Sequence, residues 1–169
     1  MQYYGARAGS DSARSPIEGK IISSTETPLQ YLSSNVRFAM QEKNFAFADK
    51  LIQYCEKCGG SPVEMHFFYL AAHQCYYKQR DIRADAIDRC KEYCRKDIAL
   101  FPSYSGDLLK EFDKLPQCPA FQQLSIIYDK EGNYQAAINV CKLALSYGLD
   151  DGTKGGFEGR LQKLEKKLK

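Results

Sequence analysis

The chain has 169 residues, of which 44% are hydrophobic, and a formal net charge of +3. This length suits one domain with its own core. The small net charge, spread over mixed acidic and basic residues, does not predict a nucleic-acid partner. No apolar run approaches the roughly 20 residues of a membrane helix, and the N-terminus has no apolar segment typical of a secretory signal. The composition therefore argues against a membrane protein and predicts a cytoplasmic one, in which the seven cysteines are reduced thiols.

Residues 1–26 differ in composition from the rest of the chain. They are rich in Ser, Gly, Ala and charged residues and show little hydrophobic periodicity. Such a segment buries too little apolar surface to fold by itself. We therefore expect a mobile N-terminal tail over residues 1–26 and a folded helical domain over residues 27–169.

Three predicted helix starts share one device, a capping residue followed by proline at the first helical position. Proline is tolerated there because its missing N–H has no partner within the helix. The three starts are Thr27-Pro28, Ser61-Pro62 and Cys118-Pro119. The first two also have Gln or Glu three residues after the cap, which predicts a capping box. Pro28 and Pro62 lie 34 positions apart, and this spacing suggests an internal repeat.

The repeat becomes visible when the segments after these helices are aligned. EKNFAFADKLIQYC, residues 42–55, aligns without gaps on EGNYQAAINVCKLA, residues 131–144, and RDIRADAIDRCKEY, residues 80–93, aligns between them. Each segment has a small residue where two helices approach closely, and large apolar residues three to four positions away. The small residues are Ala48, Ala86 and Ala137. The repeating unit is predicted to be a helix, a tight turn and a second helix.

This unit resembles the tetratricopeptide repeat (TPR) family over about residues 28–149. The third unit carries most of the aromatic, Gly and Ala pattern, at Phe121, Leu124, Tyr128, Gly132, Tyr134, Ala137, Ala144 and Leu145. The second unit departs from the pattern at His73, Arg83 and Tyr93, and the first at Ala39. The resemblance implies an all-α fold, a short right-handed α-solenoid of three TPR-like helix pairs at about 28–60, 61–99 and 118–149.

The chain departs from a regular array after the second unit and after the third. Residues 100–117 are predicted to be an insert with a short helix over about 106–115, capped by Ser105 and stopped by Pro116. Residues 157–169 have apolar side chains three to four positions apart, with Lys and Glu between them. This pattern predicts a C-terminal capping helix that covers the exposed face of the last repeat.

The resemblance implies a non-catalytic function, the binding of a protein or peptide, with no cofactor. The partner would lie in a concave groove lined by the first helix of each pair. In the family's register, the groove positions are Arg37, Gln41, Ala71, Cys75, Lys78, Gln122, Ile126 and Asp129. Family members that clamp a C-terminal carboxylate use several basic or amide residues here, whereas only Arg37 and Lys78 are basic in this chain. The groove is therefore predicted to take a peptide of mixed polar and apolar character.

The cysteines leave a second class of function open. Cys55 and Cys58 form a C-x-x-C followed by two glycines, which is typical of one knuckle of a zinc ribbon. The available second pair is Cys90 and Cys94, separated by three residues. With these four cysteines as ligands or nucleophiles, the chain would be a zinc-binding or thiol-dependent catalytic protein.

A structural interpretation of the same cysteines competes with the metal site. Cys55 shares a repeat column with Ala144, and Cys90 shares one with Cys141, and free cysteine packs in cores as a small apolar residue. In this interpretation Gly59-Gly60 ends the second helix with a left-handed turn. The C-x-x-C is then the boundary between two repeats.

His66 and His73 are the two histidines of the chain, seven positions apart on one face of a predicted helix. The other faces of that helix are also apolar, which is typical of a helix enclosed by neighbours. No acidic residue is evidently placed in the sequence to orient either imidazole for catalysis. Both side chains are therefore predicted to pack in the core or to line the groove.

Overall fold

The computed structural model describes residues 26–112 and 115–169, and this part of the chain is entirely α-helical and loop. The predicted tail lies outside the described residues except for its last position. The helices are α1 Pro28–Gln41, α2 Phe45–Cys55, α3 Pro62–Lys78, α4 Ala86–Phe112, α5 Pro119–Lys130, α6 Tyr134–Ser146 and α7 Gly156–Leu168. The all-α prediction is confirmed for the described residues.

Capping boxes start α1 and α3, as the sequence predicts. The backbone N–H of Gln30 donates to the Thr27 hydroxyl at 3.2 Å, and the Thr27 N–H donates to the Gln30 side chain at 3.0 Å. Ser61 and Glu64 exchange the equivalent bonds at 3.3 and 2.7 Å. The Thr27 hydroxyl also donates to Glu64 at 2.5 Å, so one carboxylate joins the N-termini of both helices. These bonds, that of Thr27 first, hold the pKa of Glu64 below its usual value.

The turns inside the first and third helix pairs share the same cap geometry, at positions that the sequence alignment superposes. Asn44 caps α2 and Asn133 caps α6, each accepting from the N–H three residues on at 3.2 Å. The residue before each cap is left-handed, with φ of 56° at Lys43 and 73° at Gly132. Ile82 occupies the capping position in the second unit and has no side-chain acceptor. There α4 begins three residues later than α6 does in the aligned register.

The core contains the small residues of the aligned segments and the apolar residues at their equivalent positions. The three predicted small residues are fully buried: Ala48, Ala86 and Ala137. Each helix contacts the next one along the chain, and α3 also contacts α1 and α5. Because α3 has four neighbours, its apolar side chains extend around most of its circumference. The predicted position of this helix between its neighbours is confirmed.

The predicted insert is not a separate helix. Residues 100–112 continue α4, which runs for 27 residues with Pro102 inside it. Proline removes one backbone hydrogen bond and is unfavourable in a helix interior. Three side chains in this segment are nonetheless buried in the core: Phe101, Tyr104 and Leu108. Burying each contributes about 1.5–3 kcal/mol, which outweighs the proline, so the predicted cap at Ser105 falls inside the helix.

The end of α2 also differs from the prediction. The helix ends at Cys55, before the two glycines, and neither Gly59 nor Gly60 has a left-handed backbone. Gly60 instead lies close to a side chain of α1. A Cβ at this position would lie 2.6 Å from Cδ2 of Leu29, at the start of α1. The absence of a side chain therefore allows the loop to pass close to α1.

The predicted C-terminal helix is confirmed as α7, which packs against α6 and buries Phe157 and Leu164. Its last turn also reaches α5, since Lys167 Nζ lies 2.6 Å from Asp129 Oδ1. None of the helices in residues 26–112 and 115–169 has both the length and the apolar composition needed to cross a bilayer.

Candidate functional site

The predicted groove positions divide by exposure. Gln41 and Lys78 are exposed. The partly buried positions are Arg37, Gln122, Ile126 and Asp129. Ala71 and Cys75 are fully buried, so these two predictions are wrong as direct partner contacts. Both lie where α3 meets its neighbours, because a helix enclosed on several sides has few positions left for solvent.

Two of the predicted positions on α5 are engaged by the C-terminal part of the chain. Gln122 Nε2 donates to the backbone carbonyl of Asp151 at 3.2 Å. Asp129 accepts from Lys167 at 2.6 Å. The helix α7 and the loop before it therefore border the α5 end of the predicted groove.

The four-cysteine zinc alternative does not assemble within the described residues. Cys90 and Cys94 lie together with His73 in a group of potential ligands, and Cys55 and Cys58 belong to no such group. Cys55 is fully buried. Burial, with a smaller contribution from Cys58, raises the pKa of Cys55 to about 12. A thiol of this kind stays protonated at neutral pH and packs as a small apolar residue.

A buried polar network lies instead between α3 and α4. The His66 Nδ1–H donates to Asp97 Oδ1 at 2.8 Å, and the Tyr104 hydroxyl donates to the same oxygen at 2.9 Å. The His66 and Tyr104 rings stack with centroids 4.5 Å apart. The Cys118 thiol, from the loop before α5, donates to Asp97 Oδ2 at 3.8 Å. Asp97 is 0% exposed, so protein groups supply the contacts that its carboxylate would otherwise make with water.

Cysteine, histidine and aspartate thus meet in one place, but not as an activated nucleophile. Cys118 is only 5% exposed. Burial first, and then the Asp97 carboxylate, raise the pKa of Cys118 to about 12. Burial and the same carboxylate raise the pKa of Tyr104 as well. Nucleophilic cysteines need a lowered pKa and access to substrate, and this network provides neither.

A second cluster lies beside this network, with His73 on α3 and Cys90 and Cys94 one helical turn apart on α4. Their donor atoms all lie within 4.8 Å of one another, and all three residues are buried. Both ring nitrogens of His73 lack a hydrogen-bond partner. Burial, and then the nearby His66, lower the pKa of His73 to about 3, so the ring is neutral. Burial, and then the Cys90 thiol, raise the pKa of Cys94 well above its usual value.

The sequence predicts the burial of the two histidines but not the partner of His66. Asp97, the partner of His66, is 31 positions away, and nothing local marks it as such. One signal was present. His66 and His73 lie seven positions apart, while Cys90, Cys94 and Asp97 follow at helical spacing, so each set occupies one helix face. Two such faces on consecutive helices predict a shared polar seam if the helices pack.

Two surface depressions lie away from these clusters. A groove of about 460 Å³ between α4, α5 and α6 is largely apolar, and its lining includes Ile98, Pro102, Val140, Leu143 and Tyr147. A smaller cleft of about 330 Å³ lies between α3, α4 and α5. Its lining includes Tyr77, whose hydroxyl accepts from Lys130 at 3.2 Å. The apolar groove is therefore a surface depression separate from the predicted groove positions on α1, α3 and α5.

Comparison of the chain with protein-family models, with curated proteins and with solved structures finds no match.

Proposed function

We propose that this protein is a non-catalytic scaffold that binds a protein or peptide in the groove of a short right-handed solenoid of TPR-like helix pairs. The observation that carries the proposal is the contact of α1 with α3 and of α3 with α5. These are the first helices of the three pairs, and solenoids of helix pairs line their concave surface with such helices. The matching turns of the first and third pairs support the same repeat.

The exposed chemistry of this surface suits a peptide of mixed character. Lys78 on α3 and Gln41 at the end of α1 are exposed, and Ile126 on α5 is partly buried. This set offers one positive charge, one amide and one apolar side chain. A peptide with an acidic residue next to an apolar one would complement it.

The chemistry of the interior supports binding over catalysis. Burial raises the pKa of buried thiols such as Cys55 and Cys118. The His66–Asp97 pair lies in the core, away from the two surface depressions. Such groups stabilise a fold by forming hydrogen bonds with one another, and a binding scaffold requires no further chemistry from its buried polar side chains.

The proposal can be tested with a phage-displayed peptide library selected on the full chain. The affinity of a selected peptide, synthesised and labelled, is then measured for the wild-type chain and for the variants Lys78→Glu and Leu143→Glu. The second variant alters the apolar groove between α4, α5 and α6. Lys142→Glu is the control, because Lys142 is exposed on α6 and lines neither depression. We expect Lys78→Glu to weaken binding about tenfold, equal to about 1.4 kcal/mol, and the other two variants to bind normally.

Two results would contradict this assignment. If Leu143→Glu abolished binding while Lys78→Glu left it unchanged, the partner surface would be the apolar groove. If no displayed peptide bound the folded chain above background, the scaffold function itself would be wrong.

A further inference from the structure

The cluster of His73, Cys90 and Cys94 contains groups that the fold alone does not satisfy. His73 is 1% exposed, and neither of its ring nitrogens has a hydrogen-bond partner. A neutral imidazole always carries one donor and one acceptor nitrogen, so it has one of each unsatisfied. Native interiors pair the great majority of such atoms, and an exception calls for an explanation such as an absent ion.

The adjacent network shows what satisfied groups look like in the same core. His66, Asp97 and Cys118 also form a group of potential ligands. There, however, His66 bonds to Asp97 at 2.8 Å, and Cys118 contacts the same carboxylate at 3.8 Å. The difference between the two groups lies in His73, which has one ring nitrogen within 4.8 Å of two thiol sulfurs and makes no hydrogen bond through either nitrogen. Metal coordination would give His73 a partner that it lacks. The group of His66, Asp97 and Cys118 already has its hydrogen bonds and gains none from a metal ion.

The types of donor and their spacing suit one class of metal ion. Two thiolates and one imidazole are soft or borderline ligands, the donors that Zn²⁺ and Cu⁺ prefer over Mg²⁺ or Ca²⁺. Two sulfurs on a tetrahedral zinc ion, each about 2.3 Å from it, are about 3.8 Å apart. The donor atoms here lie within 4.8 Å of one another, so side-chain movements of about 1 Å would bring all three into range.

The supporting helices are arranged for such a site. Cys90 and Cys94 are four positions apart on α4, so both sulfurs project from one face. His73 approaches from α3, which packs along α4. An ion held by all three would cross-link two central helices. Because the site is buried, the ion would enter as the chain folds, and the thiol protons would be released on binding.

We propose that His73, Cys90 and Cys94 form a buried structural site for a thiophilic d10 metal ion, Zn²⁺ or Cu⁺. This site differs from the one that the C-x-x-C motif predicts, because it uses the histidine of α3 in place of Cys55 and Cys58. It also stands independently of the groove, since the three ligands lie in the core and contact no partner.

The experiment refolds the full-length chain from denaturant, under reducing and anaerobic conditions, with Zn²⁺, Cu⁺ or a chelator. Bound metal is counted by mass spectrometry after gel filtration. Co²⁺ serves as a spectroscopic stand-in for Zn²⁺. We expect about one ion per chain, a thiolate-to-cobalt charge-transfer band, and a higher melting temperature than with chelator. The ion retained in direct competition distinguishes the zinc site from the copper site.

Three variants locate the ligands. Cys94→Ala and His73→Leu should lose the bound ion and the charge-transfer band. Cys141→Ala should keep both, because Cys141 is equally buried and belongs to neither group of potential ligands. Cys55→Ala should also keep them. If a ligand variant failed to fold, Cys55→Ala, which keeps His73, Cys90 and Cys94, would still distinguish this site from the C-x-x-C knuckle by retaining the ion and the thiolate band.

The proposal would be overturned by any of three results. The wild-type chain could refold without retaining either ion, the bound cobalt could show no thiolate band, or Cys94→Ala could retain the ion in full. Loss of the ion in Cys55→Ala with retention in Cys94→Ala would return the site to the C-x-x-C knuckle.

Discussion

Replacing Tyr104 by phenylalanine isolates one hydrogen bond of the buried network. The Tyr104 hydroxyl donates to Asp97 Oδ1 at 2.9 Å, and its oxygen lies 3.4 Å from the Cys118 sulfur. Phenylalanine keeps the ring that stacks on His66. The substitution therefore removes a donor and leaves no large cavity.

The expected loss of stability follows from the surroundings of the hydroxyl. Tyr104 and Asp97 are both 0% exposed, so water does not take the place of the missing donor. A hydrogen bond to a charged group contributes about 1.5–3 kcal/mol. We expect Tyr104→Phe to reduce the free energy of unfolding by this amount. For a chain of this size, the melting temperature would fall by roughly 3–12 °C.

Urea unfolding followed by circular dichroism measures this loss, as a lower midpoint at an unchanged m-value. Tyr54→Phe is the matched control, because Tyr54 is 50% exposed and should change stability by no more than about 0.5 kcal/mol. Combining Tyr104→Phe with Asp97→Asn should cost less than the sum of the two separate losses, since both act on one bond. Equal stability of Tyr104→Phe and Tyr54→Phe, or full additivity of the losses in Tyr104→Phe and Asp97→Asn, would contradict a stabilising bond between Tyr104 and Asp97.

Two further predictions concern a close contact and a buried carboxylate. Gly60→Ala should reduce the free energy of unfolding by about 1–3 kcal/mol, because the new methyl group collides with the Leu29 side chain of α1. Gly59→Ala is the control and should not change stability, because nothing lies within 4 Å of a Cβ at that position. Equal melting temperatures for the two variants would contradict the contact. Burial opposes ionisation of Asp151, but bonds from Thr153 and Arg160 outweigh it and hold the pKa of this carboxyl below its usual value. Folding therefore favours the ionised form. The difference in free energy of unfolding between the wild-type chain and Asp151→Asn should be largest at pH 7 and should shrink as the pH falls below about 4. Urea unfolding at several pH values checks this, and a difference that grew on acidification would refute it.

The sequence by itself determined where most helices begin and how the units repeat. The capping boxes at Thr27 and Ser61 formed as predicted because their partners lie three residues away, within the same turn. Asn44 and Asn133 occupy the same column of the alignment, and each caps its helix through a bond from the N–H three residues on. Such features need only local geometry, which a short stretch of chain encodes fully.

Only the tertiary structure decided the features that depend on distant partners. The local signal at Ser105 predicted the start of a separate helix, yet burial of Phe101 and its neighbours keeps α4 continuous, because packing energy exceeds local preference. Tertiary packing likewise decided that Asp97 is the partner of His66, and that His73 lies beside the thiols of Cys90 and Cys94. These groups are far apart along the chain, and only the packing of α3 on α4 bonds His66 to Asp97 and brings His73 within 4.8 Å of the two thiols.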